Sequence, residues 1–113
     1  MRFAGRADLL LYDLAPIPAY NQDFEGDKRP PVVKKLLADI AEADGLVLCA
    51  PEFNHSIPGV LKNAIDWVYP EWNKKVAGFV GYGTVGGARA IEHARSMAVE
   101  LQMATVRQAV VTA

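Results

Sequence analysis

Residues 46–67 read LVLCAPEFNHSIPGVLKNAIDW. The stretch opens as an apolar run fit for a buried strand, breaks at Pro51, and carries Glu52, Asn54, His55 and Ser56 before it resumes as an amphipathic segment. A strand that runs through a short polar turn into a helix is half of a β-α-β unit. The short continuous run GLVLCA (45–50) suits a strand covered on both faces. From 58 to 69 a helix is predicted: Pro58 fits its first turn, and Val60, Leu61, Ala64, Ile65 and Val68 form an apolar stripe.

The pattern repeats on both sides. Upstream, ADLLLYDL (7–14) reads as a strand, followed by a connection at 15–31 that holds four prolines. Val33, Leu36, Leu37, Ile40 and Ala41 then recur at helical spacing within 32–43. Downstream, VAGFVGY (76–82) reads as a strand, GTVGG as a glycine loop, 88–103 as a helix and TVRQAVVT (105–112) as a last strand. The order β-α-β-α-β-α-β predicts an α/β domain with a parallel sheet and right-handed crossovers. In such sheets ligands sit beyond the carboxyl ends of the strands, which singles out the loops at 51–57 and 82–87.

The totals narrow the field. The 113 residues are one domain's length, 51% are hydrophobic and 22% charged, so the chain can bury a core. A formal net charge of -1 offers no bulk attraction for nucleic acid or anionic lipid. No apolar run reaches the roughly 18–20 residues of a membrane span, and the start, interrupted by Asp8 and Asp13 and lacking a long apolar centre, reads as mature sequence rather than a signal peptide. The one cysteine, Cys49, excludes an intrachain disulfide and fits a reducing cytoplasm.

Each loop has two readings. In PEFNHSIP the free N–H groups and positive end of a helix can meet an anion or an electron-rich ring edge, with Phe53 as an apolar face and Asn54 for orientation. Equally, Asn54 or Ser56 can cap the helix. Residues 81–86, GYGTVG, fit GxGxxG, but the acidic residue that should end the next strand of a dinucleotide site is missing from TVRQAVVTA. A glycine loop that lets backbone approach a flat ligand, or a helix start that needs glycine for packing, explains it better.

Other chemistries find little. His55 and Ser56 are neighbours without a placeable acid, so no triad follows. Cys49 reads as buried and inert in its strand, and His93 as a residue on a solvated helix face. These two with His55 are too scattered for zinc. Trp67, Tyr69 and Trp72 read as core or subunit contacts, and GDKRPP as a solvated loop.

PEFNHSIPGVLKNAIDW resembles the PE[YF]N-x-S-x-P-x-x-LKNAIDW signature of NAD(P)H-dependent FMN reductases, the flavodoxin-like group with quinone, azo-dye and chromate reductases. IPAYNQDFE (17–25) is similar to that family's IPxYNxD segment, and GTVGGARA (83–90) to its second flavin loop. The resemblance implies a flavodoxin-like three-layer sandwich with bound FMN, NAD(P)H as donor, a small-molecule electron acceptor and a cytoplasmic homo-oligomer. Carried over by position, Pro51, Glu52, Phe53 and Asn54 lie along the isoalloxazine, largely through backbone, with Ser56 in the same loop. Tyr82, Gly83, Thr84 and Gly87 approach the pyrimidine edge. N–H donors suit the charge that reduced flavin gathers near N1 and C2=O, and hydride transfer asks for no protein acid or base.

The family also begins with a strand and a GSxRxxS phosphate loop, and ends with a helix; this sequence contains neither. The expectation is a fold truncated at both ends, with a gap where the first strand belongs and one apolar sheet face bare. A second chain, a re-paired sheet or an upstream start outside these residues are the ways to cover it, the last being favoured. Two other functions follow from the same residues: a non-catalytic remnant that assembles through the bare face, and a nucleotide module built on GYGTVGG.

Overall fold

The computed structural model describes residues 5–113. Two seven-residue strands, β1 (Gly45–Pro51) and β2 (Val76–Tyr82), pair in parallel along their full length, from Gly45 opposite Val76 to Pro51 opposite Tyr82. Helix α1 (Pro31–Glu42) precedes β1, α2 (Gly59–Trp67) crosses from β1 to β2, and α3 (Ala88–Glu100) leads to β3 (Ala104–Thr105) and β4 (Val110–Thr112). Both short strands run parallel to β2 on its other edge.

Helix limits follow local chemistry. Pro31 opens α1 with a preset φ and no N–H to waste. At the end of α3, Gln102 adopts φ 58°, Met103 N–H bonds Ala98 O at 2.9 Å and Gln102 N–H bonds Val99 O at 3.0 Å. This is a Schellman closure with glutamine where glycine is usual. The helix therefore stops three residues short of the predicted 103.

The stripes of α1 (Val33, Leu36, Ile40), α2 (Leu61, Ala64, Ile65) and α3 (Ala90, Ile91, Ala94, Ala98) join Leu48, Ala50, Ala77 and Phe79 in one core. Those four strand residues project from one face of the sheet, so all three helices cover that face. Burial along β1 therefore alternates: Leu48 and Ala50 are buried while Val47 and Cys49 are exposed. The expectations of a strand covered on both faces and of a buried Cys49 are both corrected. Among the described residues the opposite face is open, and Cys49, Val80 and Val110 form a cross-strand row on it.

Residues 7–14 do not form the predicted strand; Asp8 alone makes a bridge. In flavodoxin-like order that strand pairs only with the first one, and no described strand offers it a ladder. Side chains anchor the segment instead. Tyr12 Oη donates to Asp39 of α1 at 2.9 Å, and Ile17 is buried. Beyond it, Asn63 and Trp67 of α2 bind the 17–20 backbone: Tyr20 N–H donates to Asn63 Oδ1 at 2.8 Å, and Trp67 Nε1 donates to Pro18 O at 2.7 Å.

The last predicted strand is split. Thr105 pairs with Ala77 and Val110 with Val80, so two more residues lie between these points than on β2. Arg95 fixes the break by donating to Val106 O and Arg107 O, both at 2.7 Å, with its guanidinium 4.6 Å from the Phe79 ring centre.

Candidate functional site

The last residue pair of the β1–β2 ladder is Pro51 opposite Tyr82, so both suspect loops leave the sheet side by side at its carboxyl edge. Glu52 N–H bonds Tyr82 O at 2.9 Å, and Gly83 N–H bonds Thr112 O at 3.1 Å, tying the loops to each other and to β4.

The first loop is a two-residue reversal. Phe53 N–H bonds Ser56 O at 3.0 Å and Ser56 N–H bonds Phe53 O at 3.1 Å. Asn54 and His55 at the tip have φ 49° and 74°. Positive φ at both central positions is the requirement of a tight primed turn, and Asn and His tolerate it better than most residues. Phe53 stands 58% exposed beside it. Neither Asn54 nor Ser56 caps α2, whose N-terminus has no side-chain cap, so the plain capping reading of this loop falls.

The second loop turns on its glycines. Gly87 has φ 77°, and a Cβ there would lie 2.5 Å from Tyr82 N. This glycine is buried in the turn that starts α3, so close packing is one reason for the glycine-rich sequence. Gly83, at φ 150°, faces Glu52: a Cβ there would stand 3.2 Å from the Glu52 Cβ. Tyr82 and Val85 are exposed at the rim.

Glu52 does something the sequence did not reveal. Its side chain is only 4% exposed. The carboxylate accepts from Arg89 N–H at 2.9 Å, Ala90 N–H at 3.1 Å and Arg89 Nε at 2.6 Å. It caps α3 from another loop. The Arg89 side chain holds its carboxyl below the usual range, the N–H groups of Ala90 and Arg89 add to this, and burial opposes it. One turn further along α3, His93 Nδ1 lies 2.7 Å from Ser56 Oγ, and the His55 and His93 ring centres are 6.0 Å apart. His93 is exposed, as expected of a helix face, yet it faces the loop.

Of the expected contacts, Pro51, Glu52, Phe53, Asn54 and Ser56 meet Tyr82, Gly83, Thr84 and Gly87 at one edge. Their donors are unequally free. The N–H groups of Glu52, Phe53, Ser56 and Gly83 are spent within the protein. Those of Asn54, His55, Thr84, Val85 and the buried Gly87 donate to no group among the described residues. His55, Val85, Arg89 and His93 were missed as site residues. A two-residue turn with Asn at its first position was the one available signal for His55. A hollow of about 310 Å³ opens beside the first loop, between residues 12–15 and Pro51, Phe53 and Pro58. Another, about 280 Å³, lies between α2 and α3 around Tyr69, away from both loops. Among the described residues no cluster of three His, Cys, Asp or Glu could hold a metal ion, and no helix is long and apolar enough to cross a membrane.

A parallel sheet with paired loops at its carboxyl edge defines an α/β domain of the open-sheet class. The sequence matches the NADPH-dependent FMN reductase family over residues 3–113, and the chain belongs to that family. It is 38% identical over 103 residues to a 2-hydroxy-1,4-benzoquinone reductase of a Burkholderia species, covering 85% of this chain and 56% of that protein. With the quinone reductase of Escherichia coli K12 it shares 39% over 98 residues, 80% of this chain and 52% of the relative. The flavoenzyme FerB, an NAD(P)H:(acceptor) oxidoreductase of Paracoccus denitrificans, superposes with a TM-score of 0.84 at 31% identity, over 93% of this chain and 62% of that one. The chain thus spans about half the length of the curated relatives it matches.

Proposed function

We propose that this chain builds the ring-binding side of an FMN site and serves an NAD(P)H oxidoreductase that passes electrons to a quinone, azo compound or similar small acceptor. The observation that carries the reading is that the backbone donors at Asn54, His55, Thr84 and Val85 meet no acceptor among the described residues and are flanked by exposed Phe53 and Tyr82. Such a wall suits the carbonyl- and nitrogen-rich edge of a flavin ring, with aromatic side chains beside its plane.

In this reading the backbone at Asn54 and Thr84 holds the ring edge, and Pro51 and Phe53 lie along it. Glu52, Ser56, Gly83 and Gly87 shape the two loops, and Tyr82 closes the rim. Bound FMN supplies the hydride chemistry. The protein's share is to bind and orient the ring and keep water from it, and no side-chain acid or base is required. The sequence holds no GSxRxxS phosphate loop, so the ring contacts are the part of the site these residues supply. We place the protein in the cytoplasm as one domain within a homo-oligomer.

Titration of FMN with the purified chain tests this directly. Quenched flavin emission and NAD(P)H oxidation that needs both FMN and a quinone are expected. Unquenched emission with no NAD(P)H oxidation sinks the reading. One observation favours a second function: the open sheet face with Val47, Cys49 and Val110 exposed suits a flavin-free assembly module. That alternative expects an oligomer without flavin, and a monomer in sedimentation removes it.

A further inference from the structure

The first loop is seated on α3 at two matching places. Glu52 reaches Arg89 and Ala90, and Ser56 reaches His93. Glu52 and Ser56 stand four apart in the loop, and Arg89 and His93 stand four apart on one face of the helix. Both ties bridge the same 37 positions of sequence. Between the two tied residues lie Asn54 and His55, in left-handed conformations that other backbone states would relieve. Such conformations persist where the surroundings over-determine them. The two Phe53–Ser56 bonds close the turn and the Glu52 N–H to Tyr82 O bond holds its base, but neither reaches α3.

We propose that α3 acts as a rail for the ligand-binding turn, with Glu52–Arg89 and Ser56–His93 as positioning pairs that hold the Asn54 and His55 N–H groups in place. Neither Arg89 nor His93 needs to touch a ligand to do this. Glu52 also takes the donors of the first turn of α3, so that helix end is not an anion site; ring donors come from the loop tips instead. The inference rests on the flavin reading for what the turn binds, but the ties themselves are tested without it.

The experiment uses the whole chain as native protein, E52Q, E52A, S56A and the double variant E52A/S56A, with backbone amide exchange as the deciding readout. Exchange at the bonded amides of Glu52, Phe53 and Ser56 should rise roughly tenfold in S56A and more in the double variant, since each lost tie is a net hydrogen bond. Amides of the β1–β2 ladder should keep their native rates. E52Q retains an oxygen for Arg89 and Ala90 N–H, so its loop should exchange more slowly than in a matched E52A. The dissociation constant for FMN should weaken in the same order as loop exchange, at temperatures well below unfolding. Loop amides unchanged in the double variant overturn the proposal. So does a uniform rise across ladder and loop, the mark of a merely structural role. Native protein that fails to quench FMN overturns the flavin reading alone, and the exchange pattern still decides the ties.

Discussion

Gly87 is the residue where backbone geometry leaves least choice. Its φ of 77° and the 2.5 Å approach of a notional Cβ to Tyr82 N act together. Gly87→Ala should cost about 1–3 kcal/mol or more, read as a lower urea midpoint. Gly59 is the control: it opens α2, with nothing within 4 Å of a Cβ and no positive φ. Gly59→Ala should leave stability unchanged or raise it by about 0.4–1 kcal/mol. Glu52 makes a prediction about pH. Its carboxyl is held below the ordinary value by Arg89, so folding favours the charged form. The stability it adds is fully present above the unfolded glutamate value of about 4.3 and fades as pH falls through the lower folded value. Unfolding midpoints of native protein and Glu52→Gln should therefore differ most above the unfolded glutamate value and converge as pH falls through the lower folded one. A constant gap across that range would show that the charge of Glu52 is not what stabilises the tie.

Elements here were legible where their stabilising contacts are near in sequence. Strand β2 and the start of α3 fall where the apolar run 76–82 and the following glycines put them. Strand 7–14 was not, because an apolar run states what could pair and not whether a partner strand lies among the described residues. The break between β3 and β4 was equally hidden, since its fixture is Arg95, more than ten positions upstream on α3. Arg95→Lys should loosen that break: a single ammonium cannot reproduce the planar fork on two carbonyls. A loss of about 1 kcal/mol is expected, with faster exchange at Val106 N–H, which bonds Ala77 O at 3.0 Å. Unaltered exchange there would remove Arg95 from this role.

At the scale of the molecule the sheet face left open among the described residues dominates. A row of exposed apolar residues on a sheet face marks an interaction surface more often than bare solvent contact. If copies of this chain assemble through it, Val47→Glu should shift the sedimentation profile to monomer while α-helical circular dichroism holds. An oligomer that survives the change places the interface elsewhere. By itself the sequence determined the class of fold, the parallel order of β1 and β2, and the two loops at their carboxyl ends, because periodicity, glycine and proline act over a few residues. It also carried the family, through the long motif at 51–67. Only the tertiary structure decided that Cys49 is exposed, that Glu52 caps α3, that Ser56 meets His93, and which N–H groups remain unspent. The two ties depend on partners 37 positions away, and burial or hydrogen-bond satisfaction is settled by what packs nearby, not by a residue's local sequence alone.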